Sequence, residues 1–386
     1  MTPRVEERLP AGLSGTVEHG WGPLAELVAT RIAEFGSGAA LTVTRGGTTL
    51  IDVWGGIADP ATGRPWTRDT PMVIFSCSKG LLALLVALAH ERGTIDIDRP
   101  LVEVWPEFGA HGKGSITLGH VLAHRAGLSA LRDDVSLEDA LDSHRMARII
   151  AAEKPLWKPD TGHAYHALTL GWIVAEVLRR TDGREIGELL HAELGAIAGD
   201  PIWLGFPQRL TNERARMRRP ERPPLSRPPT PGPELWAERA LTLGGALPLW
   251  RTGDGTGFDD PEILEAGIPA ASIVTTARAL SRTWAAVADG RLLQPATLDL
   301  MSRERSGGAS IMGEPEPWPR WGAGVQLDSS LRRLTSARAF GHDGLGGQLG
   351  FADPATGIGF GFVSNALLLD EDPRTVELVQ ALRDLL

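Results

Sequence analysis

The strand-like and helix-like segments of this chain lie in separate regions, and this separation constrains the fold more than any other feature. Alternating apolar residues at 39–44 and 48–54 predict two strands, and Gly46 and Gly47 between them are typical of a tight hairpin turn. Further strand-like segments lie near the other end of the chain, at 321–327, 336–342 and 347–363. Because strands must pair, we expect the two ends to meet in one mostly antiparallel sheet. The predicted fold class is therefore α/β (α+β), with helices flanking that sheet.

The region between these strands has the apolar periodicity of helices. Helices are predicted at 22–35, 77–92, 116–125, 136–152, 166–181, 185–197, 275–289 and 373–386. A stretch rich in proline and arginine at about 208–235 predicts a long surface loop. We expect a discontinuous sheet domain from residues 1–75 and 265–386, and a mainly helical domain from residues 76–264. The cleft between the two domains is the expected ligand site.

One hexapeptide, Ala-Asp-Pro-Ala-Thr-Gly, occurs twice, at 58–63 and at 352–357. A duplicated functional site would explain the repeat, and so would one type of turn used twice. Proline presets φ and glycine accepts a left-handed backbone, which are the two requirements of such a turn. We therefore interpret both copies as turns between strands.

Composition excludes several classes of function. The chain of 386 residues is 42% hydrophobic and 23% charged, as in an ordinary globular protein. Its net charge of −9 argues against nucleic acid or an anionic membrane as a partner. The single cysteine, Cys77, rules out an internal disulfide and a cysteine-rich metal site. The first eight residues lack the apolar segment of a secretory signal, so we expect a cytoplasmic protein.

Ser76 and Lys79 form the most informative chemical pattern. A lysine three residues after a serine shares its helix face, and an amine at that position can remove the hydroxyl proton. Lysine is rare here, with four among the 39 basic residues. Lys79 also precedes the apolar run 80–89, where desolvation would lower its pKa and make it a usable base. That run is about half of the roughly 20 residues that a membrane helix needs.

Two further motifs complete a possible site. Tyr165 is the only tyrosine in the chain, and a phenol held near an ammonium group can shuttle a proton between the serine and a leaving group. His342 precedes a glycine cluster, Gly344, Gly346 and Gly347, that leads into a predicted strand. Glycines let a backbone approach a ligand closely, and free amides of an edge strand can stabilise an oxyanion.

With these motifs in this order, the chain resembles the superfamily of β-lactamases and penicillin-binding proteins. It is similar in particular to the family VIII carboxylesterases, the esterases that are like class C β-lactamases. The resemblance runs through most of the chain, at 52–56, 75–80, 116–128, 157–168 and 341–351. It implies a β-lactamase-like fold with a mostly antiparallel sheet, helices beside it and a mainly helical domain.

The resemblance also implies a role for each residue of the site. Ser76 would be the acylated nucleophile, Lys79 its general base and Tyr165 a proton relay. The segment 342–344 stands where β-lactamases have Lys-Thr-Gly, and the amides of Ser76 and Leu345 would form the oxyanion hole. The residues implied to bind substrate or oxyanion are His342, Gly344 and Leu345. No metal and no organic cofactor is implied.

Two departures from the β-lactamase pattern change the expected substrate. Ala167 stands where β-lactamases have an asparagine that holds an acylamino group, and His342 replaces a lysine that pairs with a carboxylate. Both changes favour simple esters over penicillins. We expect a serine hydrolase that cleaves carboxylic esters through an acyl-enzyme on Ser76. Two alternatives stay open: transfer of the acyl group to an amine or alcohol, and a non-catalytic protein that binds β-lactams or peptides. The expected partner is a small-molecule acyl donor, and the oligomeric state stays undetermined.

Other signals are weaker. His120 and His124 have metal-ligand spacing on a predicted helix, but no third ligand accompanies them. His163 and His166 flank Tyr165, and exposure to solvent is the simpler expectation for both. Cys77 would point about 100° away from Ser76 on a helix and pack inward. The absence of a Gly-x-Ser-x-Gly motif argues against an α/β-hydrolase.

Overall fold

The computed structural model describes residues 7–218, 233–247, 252–253, 256–368 and 372–386. Within these ranges the strands are β1 (Leu13–Val17), β2 (Gly38–Arg45), β3 (Thr48–Asp59), β4 (Arg64–Pro65), β5 (Met72–Val73), β6 (Val274–Thr275), β7 (Ser306–Gly307), β8 (Arg320–Trp321), β9 (Gln326–Leu327), β10 (Phe340–Gly344), β11 (Gln348–Asp353) and β12 (Ile358–Ser364). Ten of these strands form one sheet, and β5 pairs with β6 in a small second sheet.

Helices fill most of the chain between β5 and β7. The α-helices of the described ranges are α1 (Gly22–Phe35), α2 (Cys77–Glu91), α3 (Leu118–Leu122), α4 (Leu137–Ala140), α5 (Ser143–Ala152), α6 (Thr169–Asp182), α7 (Ile186–Leu189), α8 (Ala196–Ala198), α9 (Pro233–Thr242), α10 (Pro261–Ala266), α11 (Ala277–Ala288), α12 (Pro295–Ser302) and α13 (Pro373–Leu385). A π-helical segment, Leu190–Gly195, joins α7 to α8. Short 3₁₀ helices occur at Leu101–Glu103, Pro106–Gly112, Gln208–Leu210, Leu243–Gly245 and Gly257–Asp259.

The large sheet joins the two ends of the chain, as the sequence predicts. Its strand order is β1-β3-β2-β12-β11-β10-β9-β8-β7, with β4 paired to β3, and every pairing is antiparallel. The junction is the β2–β12 pair, in which Leu41 lies opposite Phe362. The predicted fold class, a mostly antiparallel sheet flanked by helices, is confirmed.

Helices cover both faces of the sheet. On one face, α1 and α13 pack against a core that contains Leu24, Phe360 and Leu382. On the other face, α11 lies directly on β12 because glycines remove the side chains between them. A Cβ on Gly359 would lie 2.1 Å from the Ala285 nitrogen, and one on Gly361 would lie 2.2 Å from the Ala277 oxygen. The result is three layers, helix on sheet on helix.

Helix α2 runs through the interior of the molecule. Every residue from Cys77 to Ala89 is buried, so the apolar run 80–89 forms a core helix that contacts neighbours on all sides. In the described part of the chain, no helix combines the length and the apolarity that crossing a bilayer requires. The division into two domains at 75/76 and 264/265 stays a prediction.

Several predicted elements differ from those observed. The helix expected at 136–152 is two helices, α4 and α5, because the Asp142 carboxylate accepts hydrogen bonds from the amides of His144 and Arg145 and starts a new helix. The strand expected at 321–327 is two short strands, β8 and β9, separated by a turn in which Gly324 has φ 78°. Both breaks are local effects that apolar periodicity does not register.

The stretch expected as a surface loop at 208–235 is partly buried. The Arg214 side chain is 1% exposed and forms an ion pair with Asp259, which is fully buried. Ala215 and Met217 are also buried, and α9 already begins at Pro233. The prediction of a surface loop holds at 208–213, where no side chain is buried, and is wrong at 214–217 and from Pro233 onward, while residues 219–232 lie outside the described ranges.

The repeated hexapeptide forms the same turn twice, as predicted. In each copy the aspartate side chain, Asp59 or Asp353, accepts a hydrogen bond from the amide two residues later at 2.9 Å. The closing glycines have nearly equal left-handed φ angles, 70° at Gly63 and 71° at Gly357. One copy joins β3 to β4 and the other joins β11 to β12.

Candidate active site

Ser76 lies at the start of α2, on a strained turn. The preceding residue, Phe75, has φ 44°, a left-handed conformation that is rare for a bulky side chain. Its neighbours hold it there, since the Cys77 amide donates to the Ile74 oxygen at 3.1 Å and the Phe75 ring packs on Phe258. This turn places Ser76, which is partly exposed, on the wall of a pocket.

Lys79 contacts Ser76 from inside the protein. Its Nζ donates hydrogen bonds to Ser76 Oγ at 2.9 Å and to the Ala270 oxygen at 3.1 Å. The side chain has no exposure to solvent, and this burial lowers its pKa to about 7, although the Asp343 carboxylate opposes the change. Near neutral pH much of the lysine is therefore uncharged and able to accept the serine proton.

Tyr165 completes the group. Its hydroxyl is hydrogen-bonded to Ser76, and its ring centre lies 5.0 Å from Lys79 Nζ. The ring stacks on Trp321 at a centroid distance of 5.4 Å and an angle of 18°. Burial raises the pKa of the phenol, more than its hydrogen bond to Ser76 lowers it. The phenol thus keeps its proton at neutral pH and is suited to donate it.

The structure brings the three predicted residues Ser76, Lys79 and Tyr165 together, and it adds His124 behind them. His124 follows the end of α3 with φ 60°, and its ring lies 4.9 Å from the Tyr165 ring. Its Nδ1 accepts a hydrogen bond from the His166 amide at 3.1 Å. The helix expected at 116–125 ends at Leu122, so His124 does not share a helix face with His120.

Two residues on the wall of this pocket have backbone amides that are candidates for an oxyanion site. Ser76 and Leu345 both line it, and neither amide donates a hydrogen bond within the described residues. Gly344 lets β10 approach the turn that precedes α2, because a Cβ on Gly344 would lie 2.3 Å from the Ile74 oxygen and 3.3 Å from Cys77 Sγ. N–H groups without a protein acceptor, beside a nucleophile, are the kind of donors that can bind an oxyanion.

A buried arginine holds the turn that carries the Leu345 amide. Arg374 is 1% exposed, and its Nη2 donates to the Gly346 oxygen at 2.7 Å. Its Nη1 donates to Ser364 Oγ at 2.7 Å, and Asp372 balances its charge. The first turn of α13 is therefore connected to the candidate oxyanion site by direct hydrogen bonds.

His342 does not line the pocket, which corrects its expected role in substrate binding. The residue is 1% exposed, and its Nδ1 lies 2.7 Å from the backbone carbonyl oxygen of Asp343. Burial lowers the pKa of His342 to about 4, so the ring is neutral at physiological pH. Since side chains alternate along a strand, Asp343 takes the place on the pocket wall.

Cys77 packs inward, as predicted. Its Sγ is buried and donates to the His342 oxygen at 3.1 Å. Burial also raises the pKa of the thiol well above its usual value, which disfavours the reactive thiolate.

The pocket is large and mostly apolar, with a volume of about 530 Å³. Its apolar walls comprise Phe75, Ala167, Leu168, Leu241, Phe258, Ala271, Pro315, Pro317, Trp318, Pro319, Trp321, Leu331 and Leu345. His163 lines the pocket and His166 is fully buried, so the expectation that both are exposed is wrong. Sequence reasoning missed Asp343 as a pocket residue although it lies within the motif 342–344, and it also missed Gln326 and Trp321, which no local pattern marks.

Comparison with known proteins agrees with this fold and site. The model of the family described as "Beta-lactamase" matches residues 25–383. The esterase/β-lactamase LipL of Mycobacterium tuberculosis is 35% identical over 342 residues, which cover 86% of this chain and 77% of LipL. The chain belongs to the β-lactamase family, in the group of serine hydrolases that includes esterases.

Solved structures give the same result. A penicillin-binding protein homologue from Caulobacter crescentus is 30% identical, with a TM-score of 0.84 over 97% of this chain and 100% of that one. A family VIII carboxylesterase is 27% identical, with a TM-score of 0.85 over the same shares of the two chains. The resemblance inferred from the motifs is therefore confirmed at the level of family and fold.

Proposed function

We propose that this protein is a carboxylesterase that works through an acyl-enzyme on Ser76. The observation that carries the proposal is the 2.9 Å contact between Ser76 Oγ and Lys79 Nζ, a lysine whose pKa burial lowers to about 7. An amine of that pKa is matched to the task of a general base at neutral pH. The esterase named among the relatives supports the choice of an ester as substrate.

The reaction follows from the positions of the groups. Neutral Lys79 takes the Ser76 proton as Oγ attacks the ester carbonyl, and the amides of Ser76 and Leu345 stabilise the oxyanion. As the tetrahedral intermediate collapses, Tyr165 gives its proton to the departing alkoxide and regains one from Lys79. Water then attacks the acyl-enzyme carbonyl and gives a proton to these two groups. They pass that proton to Ser76 Oγ as its bond to the acyl group breaks, which releases the acid and restores the serine.

Acyl transfer is the second candidate, and the apolar pocket supports it. A wall made of Leu241, Phe258, Trp318 and Leu331 lowers the concentration of water near an acyl-enzyme and can hold an alcohol or amine instead. The partners under either proposal are a small-molecule acyl donor and, for transfer, a small acceptor. A non-catalytic binding protein has less support, because Ser76, Lys79 and Tyr165 are in contact with one another.

Product analysis separates the two reactions. Purified protein is incubated with p-nitrophenyl butyrate alone and with added alcohols or primary amines, and the butyryl products are quantified by mass spectrometry. We expect butyric acid as the product without an acceptor. Butyric acid alone at every acceptor concentration would rule out the transferase, and absence of any turnover would contradict the esterase.

The pH dependence of acylation tests the role of Lys79. Since the pKa of Lys79 is lowered to about 7, the lysine is protonated and inactive as a base below that pH and neutral above it. We expect kcat/KM to rise about tenfold per pH unit on the acid side and to level off above neutral pH. Stopped-flow release of p-nitrophenol across the pH range measures this profile. An inflection near the usual lysine pKa would contradict the assignment.

Arg374 provides a test of the oxyanion site away from the reacting atoms. Arg374→Met removes the hydrogen bond to the Gly346 oxygen and frees the turn that carries the Leu345 amide. We expect kcat to fall roughly tenfold with little change in KM, because a displaced donor acts on the transition state. Arg278→Met is the matched control, since Arg278 is also buried and paired, with Asp200. Equal losses of kcat in both variants, assayed well below their melting temperatures, would contradict a positioning role.

A further inference from the structure

Asp343 is a charged residue on the pocket wall, two residues before Leu345 of the candidate oxyanion site. It precedes Gly344 and Leu345 in the chain, and all three line the pocket with Ser76. Its side chain is 26% exposed, whereas that of its neighbour His342 is 1% exposed. A substrate whose carbonyl lies at the Leu345 amide therefore brings its adjacent groups close to this carboxylate.

Two residues fix the Asp343 carboxylate in place. Gln326 binds residue 343 at two points, since its Nε2 donates to Oδ1 at 2.7 Å and its Oε1 accepts from the Asp343 amide at 3.0 Å. The guanidinium of Arg332 pairs with the other carboxylate oxygen, Oδ2. A carboxylate held at both oxygens cannot rotate away from an approaching ligand without breaking these bonds.

The carboxylate is ionised at neutral pH. Burial raises its pKa, but the nearby Arg332 and the hydrogen bond from Gln326 outweigh that effect, and the net change is downward. Asp343 is the member of its ion pair with Arg332 that lines the pocket. Lys79 is fully buried, and neither Lys79 nor Arg332 is among the described residues that line the pocket.

The rest of the wall has the same sign of charge. Among the described residues that line the pocket, the charged ones besides His163 are Asp343 and Glu314, and both are acidic. The remaining wall is mainly aromatic and aliphatic. An anionic substrate group would leave water for a mainly apolar pocket and would meet carboxylates of like charge there, which costs free energy. An apolar or cationic group would not meet this repulsion.

We propose that Asp343 determines the substrate class of this site, excluding acyl donors with a carboxylate near the reacting carbonyl and admitting neutral or ammonium-bearing ones. The inference rests on the proposed esterase function and adds its selectivity. It also assigns the rejection of carboxylated substrates to Asp343 on the wall, in place of His342, which is buried behind it.

Three p-nitrophenyl esters of similar length test the proposal: the pentanoate, the glutarate monoester and the 4-(trimethylammonio)butanoate. The glutarate replaces the terminal methyl group of the pentanoate with a carboxylate, and the third ester places a cation there. Values of kcat/KM are measured for the wild type, Asp343→Asn and Asp343→Thr, after subtraction of the spontaneous hydrolysis of each ester. The control Glu304→Gln removes an acidic group that pairs with Arg320 outside the pocket.

We expect the wild type to use the glutarate at least about tenfold less well than the pentanoate, and the cationic ester at least as well as the pentanoate. Either Asp343 variant should reduce the ratio of kcat/KM for the pentanoate to kcat/KM for the glutarate about fivefold or more, while Glu304→Gln leaves this ratio unchanged. Equal wild-type rates for the glutarate and the pentanoate would overturn the proposal without any variant. A ratio that stays at the wild-type value in a folded Asp343 variant would also overturn the proposal. Failure of the wild type to hydrolyse all three esters would instead refute the esterase function, and this selectivity with it.

Discussion

Replacing Lys79 with methionine is expected to lower kcat/KM for ester hydrolysis by roughly three orders of magnitude, the range that a general base contributes. Methionine fills the same buried space, but it has no group that accepts the Ser76 proton. The substitution removes the hydrogen bond between Lys79 Nζ and Ser76 Oγ, which has a length of 2.9 Å. Because methionine buries no charge, the folded state should be retained. Release of p-nitrophenol from a butyrate ester, followed by stopped flow, measures the effect.

Lys113 provides a matched control for this substitution. It is the other lysine that is fully buried, and its Nζ donates to the Ala151 oxygen at 3.0 Å. This bond caps the end of α5, and Lys113 is not among the residues that line the pocket. Lys113→Met should lower the melting temperature and leave kcat/KM within about threefold. Similar reductions of activity in both variants would show that burying a methionine, and not removing the base, impairs the enzyme.

Replacing Tyr165 with phenylalanine should reduce hydrolysis of alkyl esters by about two orders of magnitude and that of p-nitrophenyl esters far less. The phenol keeps its proton because burial raises its pKa, so its main task is to protonate the leaving group. An alkoxide needs that proton, whereas p-nitrophenolate departs readily without it. Comparing ethyl butyrate with p-nitrophenyl butyrate measures the difference directly.

The fold of the Tyr165 variant is checked through its stacking partner. Phenylalanine keeps the contact with Trp321, so the intrinsic tryptophan fluorescence and the melting temperature should change little. Equal reductions for both esters in a folded variant would contradict a role in protonating the leaving group. They would instead favour a role in activating Ser76.

Local patterns in the sequence predicted much of the fold because they reflect local physics. The hairpin at Gly46 and Gly47 was predictable, since both residues have the positive φ angles, 54° and 76°, that such a turn requires. Helix α2 followed from an apolar run of helical length. The order of strands in the sheet is a long-range property, and it was not predicted from the sequence.

The site was predictable where chemistry is local and not where packing decides. Ser76 and Lys79 are one turn apart, so their contact follows from helix geometry. Tyr165 and Trp321 are far apart in the chain, and only the fold stacks their rings. On β10 the alternation of side chains allowed either His342 or Asp343 to face the pocket, and the sequence alone could not decide between them.

Arg214 shows the same limit for charge. In the sequence it belongs to a stretch rich in arginine and proline, which is typical of a solvated loop. In the structure it is buried because Asp259, a residue distant in the chain, pairs with it. Burial of a charged residue depends on finding such a partner, and composition does not reveal partners.

Covalent labelling of Ser76 tests the central claim most directly. The protein is treated with a fluorophosphonate or with excess p-nitrophenyl butyrate, and its intact mass and peptides are then measured. We predict a single adduct on the peptide that contains Ser76. The adduct should be absent in Ser76→Ala and present in the control Ser78→Ala, because Ser78 is fully buried and its Oγ accepts a hydrogen bond from the Ile273 amide. An adduct that survives in Ser76→Ala, or no adduct in the wild type, would contradict the acyl-enzyme mechanism.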